Sequence, residues 1–286
     1  MLFQGRVLIK TDAETVMRER SRTLFYRESS DGLITALLSF AERLFIIMIL
    51  GSNQPYFLPY IGFWQMISAV DLYEICDDFS YIKGGWVNRN RILINGKPSF
   101  FNIEVQHATS NKAINELELS EINVEKKLWQ LTCAYAKAPY FKNGMAIAEQ
   151  VFSCPDKNMA RFLITSIKVI CDYLDIKTKI ILSSEYDRDR SLKKEQSIYQ
   201  CCKIWGADTY YNAIGGQELY SFDDFRKNGI NLAFIKTNDI RYHQFYGQEF
   251  VPNLSILDVI MFNPVEKIQE MLKEYTLITD ECQPRL

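Results

Sequence analysis

Asn53-Gln54-Pro55-Tyr56-Phe57-Leu58-Pro59-Tyr60-Ile61-Gly62-Phe63-Trp64 is the stretch whose reading decides the fold. Ahead of it, Phe45 to Leu50 is a short, almost wholly apolar run, the pattern of a buried strand. Two prolines set among aromatics can continue neither a central strand nor a helix interior, so they predict a stiff turn at the strand's end. Gly62 permits close backbone approach, and Phe63 to Ala69 reads as a helix. Leu72 to Cys76 is a second strand, ending in the adjacent carboxylates Asp77 and Asp78. Strand, stiff turn, helix, strand is the outline of a ligand site at the carboxyl ends of an α/β sheet.

From Phe79 through Ile103 the chain has no Asp or Glu, yet it carries Lys83, Arg89, Arg91 and Lys97. In a chain of net charge −2 this is a local positive field. It suits phosphate or carboxylate, because a guanidinium offers paired donors in a rigid fork. The plain alternative is a solvated basic loop. Gly84-Gly85, Trp86, Asn88 and Asn90 add donors and a stacking surface, and favour a site. Asn95-Gly96 is a two-residue hairpin signal between Arg91–Ile94 and a strand over Ser99 to Gln106. The expected fold class is therefore α/β: a Rossmann-like, mostly parallel sheet flanked by helices, with a β-hairpin inserted after the second strand.

Downstream, Glu121 to Ala136 has helical spacing and Pro139 stops it. A helix starts near Tyr140, with Lys142-Asn143-Gly144 as an interruption. Met159 to Leu174 carries an aliphatic stripe at helical spacing, which means core. Lys179 to Leu182 is a short strand closed by Ser183-Ser184, a pair able to bind a ligand or simply to turn the chain. Ser191 to Trp205 reads as a helix, Ser191 its N-cap and Gly206 its stop. Thr209 to Asn212 is a strand running into Gly215-Gly216, a second glycine turn beside a strand end. A short helix over Phe222 to Asn228 precedes a strand over Ile230 to Ile235. A helix through Met261 starts at Asn253, its expected cap, and Glu266 to Glu274 is the last helix. Residues 276–286 read as a loose tail, and residues 1–44, polar and Arg-rich at first, as a loose upstream-start extension of a single domain over 45–275.

Composition bounds the rest. At 286 residues the chain buries a sizeable core. Its 48% hydrophobic and 24% charged residues are ordinary for a folded soluble chain. Near-neutral net charge argues against a whole-surface nucleic-acid binder. The Leu33 to Phe40 run is broken by Glu42 and Arg43, too short to span a membrane. Seven cysteines without paired C-x-x-C spacing fit reduced thiols in a cytoplasm.

Gln54-Pro55-Tyr56-Phe57, Pro59-Tyr60-x-Gly62-Phe63, Asp77-Asp78 and Lys83-Gly84-Gly85-Trp86-Val87-Asn88-Arg89-Asn90-Arg91 together resemble the WbqC-like family. The resemblance continues through Tyr135-x-Lys137-Ala138-Pro139, Ser183-Ser184, Gly215-Gly216 with Leu219-Tyr220, and Pro252-x-Leu254-Ser255-Ile256-Leu257-Asp258, spanning about residues 46 to 265. It implies an association with the synthesis of bacterial O-antigen, lipopolysaccharide or other surface polysaccharide. The clustered basic and aromatic residues, taken with that association, point to a transferase acting on a nucleotide-linked amino sugar or another phosphorylated small molecule, by acyl or aminoacyl transfer. A weaker resemblance links the Pro59-Tyr60-Ile61-Gly62 turn to the HIGH-motif nucleotidyltransferases, although neither of their two histidines is present. That leaves an ATP-dependent transferase or ligase as one alternative and a non-catalytic partner of glycan enzymes as another.

In this reading Asp78 is the candidate base, with Asp77 and His243 beside it. Lys83, Arg89 and Arg91 hold phosphates, and Tyr56, Tyr60 and Trp86 stack on base or sugar. Gln54, Asn88, Asn90, Ser183, Ser184, Gly215, Gly216 and Tyr220 complete the binding set. No metal ligand set is assigned, since neither His107 nor His243 has a partner at zinc-ligand spacing. Asp77 and Asp78 leave Mg²⁺ open and the cofactor unnamed. Ser183, His243 and Asp258 could be drawn as a triad, but nothing in their spacing supports one.

Overall fold

The computed structural model describes residues 47–245 and 249–280. The expectation for residues 1–44 lies outside that range. Six strands form one sheet: β1 (Ile49–Asn53), β2 (Leu72–Ile75), β5 (Lys179–Leu182), β6 (Thr209–Ala213), β7 (Asn231–Thr237) and β8 (Tyr275–Ile278). They lie in the order β5-β2-β1-β6-β7-β8. All neighbours pair parallel except β7 with β8. The mostly parallel α/β fold expected from the sequence is the observed one.

A parallel sheet must be covered on both faces, and strand alternation divides the cover here. Ile49, Tyr73 and Ile75 point into a large core built with α1 (Ile61–Ser68), α3 (Phe141–Phe152), α4 (Met159–Tyr173), α7 (Ile256–Phe262) and α8 (Val265–Met271). Leu50, Leu72, Tyr210 and Phe234 point the other way, onto α5 (Glu195–Trp205) and α6 (Phe222–Lys227). The hairpin follows β2 as expected: β3 (Arg89–Ile94) and β4 (Lys97–Asn102) are a separate antiparallel pair. Asn95 and Gly96 both adopt positive φ, 50° and 74°, as a two-residue turn with the strands' own twist requires. α2 (Val124–Tyr135) packs against this hairpin: the Tyr135 hydroxyl accepts the backbone N–H of Leu93.

Several boundaries differ from expectation, each for a tertiary reason. β1 runs on through Gly51-Ser52-Asn53, which propensity disfavours; ladders to β2 and β6 on both sides hold it. α3 is not interrupted at Gly144. A Cβ there would sit 2.5 Å from Met261 Sδ, so the glycine lets α3 approach α7. α5 starts at Glu195 rather than Ser191, whose hydroxyl bonds the Asp189 carboxylate instead. Ser255, not Asn253, caps α7: it accepts the Leu257 N–H and donates to the Leu58 carbonyl. The stretch read as a loose tail contributes β8, the antiparallel edge of the sheet; residues 281–286 lie outside the described range. No helix among the described residues is long and apolar enough to cross a membrane.

Candidate functional site

Numbered along the chain within their own sheet, the six strands run 3-2-1-4-5-6, so the winding direction reverses between β1 and β6. Crossover helices on opposite faces diverge at such a reversal. The crevice outside the carboxyl ends of the two strands is where doubly wound sheets take ligands. Here it is bounded by Asn53 and Gln54 at the end of β1, and by the 3₁₀ turn Ile214–Gly216 with Tyr220 after β6. These polar residues are half-buried rather than sealed. Gln54 donates through Nε2 to the Ser80 carbonyl at 3.2 Å, while its Oε1 is buried without a protein partner. Such an acceptor costs about 1–3 kcal/mol until something donates to it. Gly215 and Gly216 form the turn itself; Asn212 packs against Gly216 and bonds Tyr220, whose ring stands edge-on to Phe225.

One strand further, the sequence-flagged carboxylates and serines meet. Asp77 accepts both the backbone N–H and the hydroxyl of Ser184, at 3.0 and 2.6 Å, and the Ser183 hydroxyl lies 3.1 Å from it. Asp78 accepts from Ser183 at 2.6 Å, from Arg188 at 2.6 and 2.8 Å, and from Arg190 at 3.1 Å. Arg188 is nearly buried, also donating to Ser197 and to the Ser183 carbonyl. Burial alone would lower its pKa, and the Asp78 carboxylate outweighs this and raises it. Asp78 thus clamps the 183–190 loop onto the end of β2. With its oxygens on two guanidinium groups and those of Asp77 on two serines, this pair does not fit a divalent cation. Among the described residues no group of three or more His, Cys, Asp or Glu could hold a metal ion.

The basic hairpin divides into scaffold and surface. Asn90 is buried and donates to the Phe57 and Leu58 carbonyls; Asn88 bridges Tyr81 and the Ile103 carbonyl. Asn90 ties the hairpin to the β1–α1 turn and Asn88 ties it to the segments at Tyr81 and Ile103, so both have little left for a ligand. Arg89 donates to the Gly84 and Gly85 carbonyls and stacks on Phe100. Arg91 reaches the Asn253 carbonyl and lies over Trp86, its Nε buried and unpartnered. Lys83 and Trp86 are exposed. Tyr56 and Tyr60 are half-buried instead, Tyr56 tilted against Phe63 and Tyr60 bonded to Thr237; burial raises both pKa values.

His243 is exposed, while its neighbours Tyr242 and Gln244 turn inward onto Asp258. Tyr135 takes the other oxygen of Asp258, and Ser183 is spent on Asp77 and Asp78. That partnering gives no support to a Ser183–His243–Asp258 triad.

Sequence reasoning missed Arg188, Arg190 and Glu74. Glu74 is buried under α5; Tyr186 donates to it and the Cys76 thiol lies 3.8 Å away. Desolvation raises its pKa. The available signal was one carboxylate inside an apolar strand, Leu72-Tyr73-Glu74-Ile75.

The family model of the WbqC-like proteins matches residues 54–270. An uncharacterized protein of Mycobacterium tuberculosis, Rv1507c, is 26% identical over 221 residues, covering 76% of this chain and 93% of that relative. No solved structure matches.

Proposed function

We propose, from the premise that this chain belongs to the WbqC-like protein family, that it binds a nucleotide-linked amino sugar in the crevice between the ends of β1 and β6. There it would serve acyl or aminoacyl transfer in the synthesis of a surface-polysaccharide precursor. The reversal of winding at β1 and β6 carries this reading. Support comes from the unpartnered Gln54 Oε1, which suits a ligand hydroxyl or amide, and from the unpartnered Arg91 Nε, which suits phosphate. Arg89 and Lys83 add positive charge, Trp86 offers an open ring, and Tyr220 with the Gly215-Gly216 turn forms the opposite wall. Asp78 then organises the 183–190 loop rather than taking a proton.

The test is a thermal-shift panel of UDP- and dTDP-linked amino sugars, acyl-CoA and ATP, each with and without Mg²⁺. A ligand at about 100 times its dissociation constant adds about 2.7 kcal/mol, a shift of several degrees at this size. Gln54→Ala and Arg91→Ala should abolish a shift given by a nucleotide sugar while leaving the fold intact. A panel flat for every nucleotide-linked compound would sink the proposal. A shift given by ATP alone, dependent on Mg²⁺, would support an ATP-dependent transferase or ligase. The direct passage from β1 through the proline turn into the start of α1 favours that second reading.

A further inference from the structure

The hairpin concentrates exposed apolar surface where the chain is most basic. Phe79, Ile82, Trp86 and Phe100 are all exposed large apolar side chains, and all fall within 22 residues of sequence that contain no carboxylate. Two of them adjoin, and a third lies beside the residue before Trp86. The Trp86 and Phe100 rings lie 6.4 Å apart, and Ile82 packs against Gly85. Ile82 and Phe100 are each 56% exposed and Trp86 43%. The register explains why: Asn90, Ile92 and Phe101 face the core, so Arg89, Arg91 and Phe100 face outward. Arg89 lies 4.5 Å over the Phe100 ring and Arg91 5.8 Å from the Trp86 ring, with Lys83 exposed in the loop ahead of β3.

We propose that this outer face of the β3–β4 hairpin docks on an anionic lipid bilayer. Aromatic rings and long cationic side chains together are the composition of proteins that sit at headgroup level, where rings enter the acyl boundary and guanidinium and ammonium groups meet phosphate. The absence of carboxylate from residue 79 to 103 removes the repulsion such a surface would otherwise oppose. The exposed Gly84 and half-buried Gly85 leave the loop beside Trp86 free of bulky side chains that would hold it off the surface. The surface shares Lys83, Trp86, Arg89 and Arg91 with the proposed ligand site, whereas Ile82 and Phe100 belong to the docking face alone and tell the two apart.

Sedimentation of the full chain with phosphatidylcholine vesicles, with and without phosphatidylglycerol, tests it. The expected result is binding to the anionic vesicles that weakens with salt. Binding should fall roughly tenfold in the Ile82→Ser, Phe100→Ser double variant, and measurably in Lys83→Glu, each with an unchanged circular dichroism spectrum. Wild-type protein left in the supernatant with both vesicles would overturn it, as would a double variant that binds as well. So would wild-type dimers, seen by light scattering, that the double variant loses, since these would assign the face to a second copy.

Discussion

Gly62 stands where the Tyr60 ring and the Thr237 hydroxyl close over the start of α1; a Cβ there would lie 2.5 Å from both. An aromatic ring packed against the core and bonded to Thr237 cannot give way as a flexible chain end can. Gly62→Ala is expected to cost about 1–3 kcal/mol, lowering the midpoint of chemical denaturation. Glu74 acts by charge instead. Its pKa is raised from an ordinary 4.5, first by burial, while the Tyr186 hydrogen bond and Arg188 pull the other way without prevailing. A raised folded pKa means stability that is fully present below 4.5 and lost as pH rises through the folded value. Glu74→Gln keeps an oxygen for Tyr186 and removes the charge. It should flatten this decline and gain on the order of 1 kcal/mol above neutrality; denaturation series across pH would show it, and a parallel wild-type slope would refute it.

At the scale of elements, the 183–190 loop depends on one carboxylate. Arg188 and Arg190 both end on Asp78, with the Arg188 and Asp78 side chains only 5% and 11% exposed. Asp78→Asn strands a buried guanidinium, so about 3 kcal/mol should be lost. Proteolysis should begin in the loop after β5, and Asp78→Glu should recover part of the loss. A variant as stable and protease-resistant as wild type would deny the clamp. Asn90 serves likewise between hairpin and β1–α1 turn, which is how motifs distant in sequence come to bound one region.

For the whole molecule, β8 matters beyond its length. It pairs antiparallel along Phe234 to Thr237 of β7, and truncation after Glu274 would leave that strand as an open, apolar edge. Loss of several degrees in melting temperature and concentration-dependent aggregation are expected; a truncated chain that stays monomeric with an unchanged melt would contradict this.

How much of this was legible follows from the range of each signal. The proline turn, the Asn95-Gly96 hairpin, the strand over Lys179 to Leu182 and the Gly206 stop rest on backbone restrictions acting within a few residues. They are present in any chain that contains those residues, and the parallel α/β class followed from them. The sequence alone also marked Asp77, Asp78, Ser183 and Ser184, because polar pairs at strand ends stand out from apolar runs. It could not say that they bond one another, that Arg188 and Arg190 claim Asp78, or that Asn88 and Asn90 support the hairpin. It could not set the role of Gly144 or the strand at Tyr275 to Ile278 either. Those outcomes depend on which segments lie side by side. Only tertiary structure settles that, because hydrogen-bond partners and close packing are chosen across many tens of residues by the order of the strands.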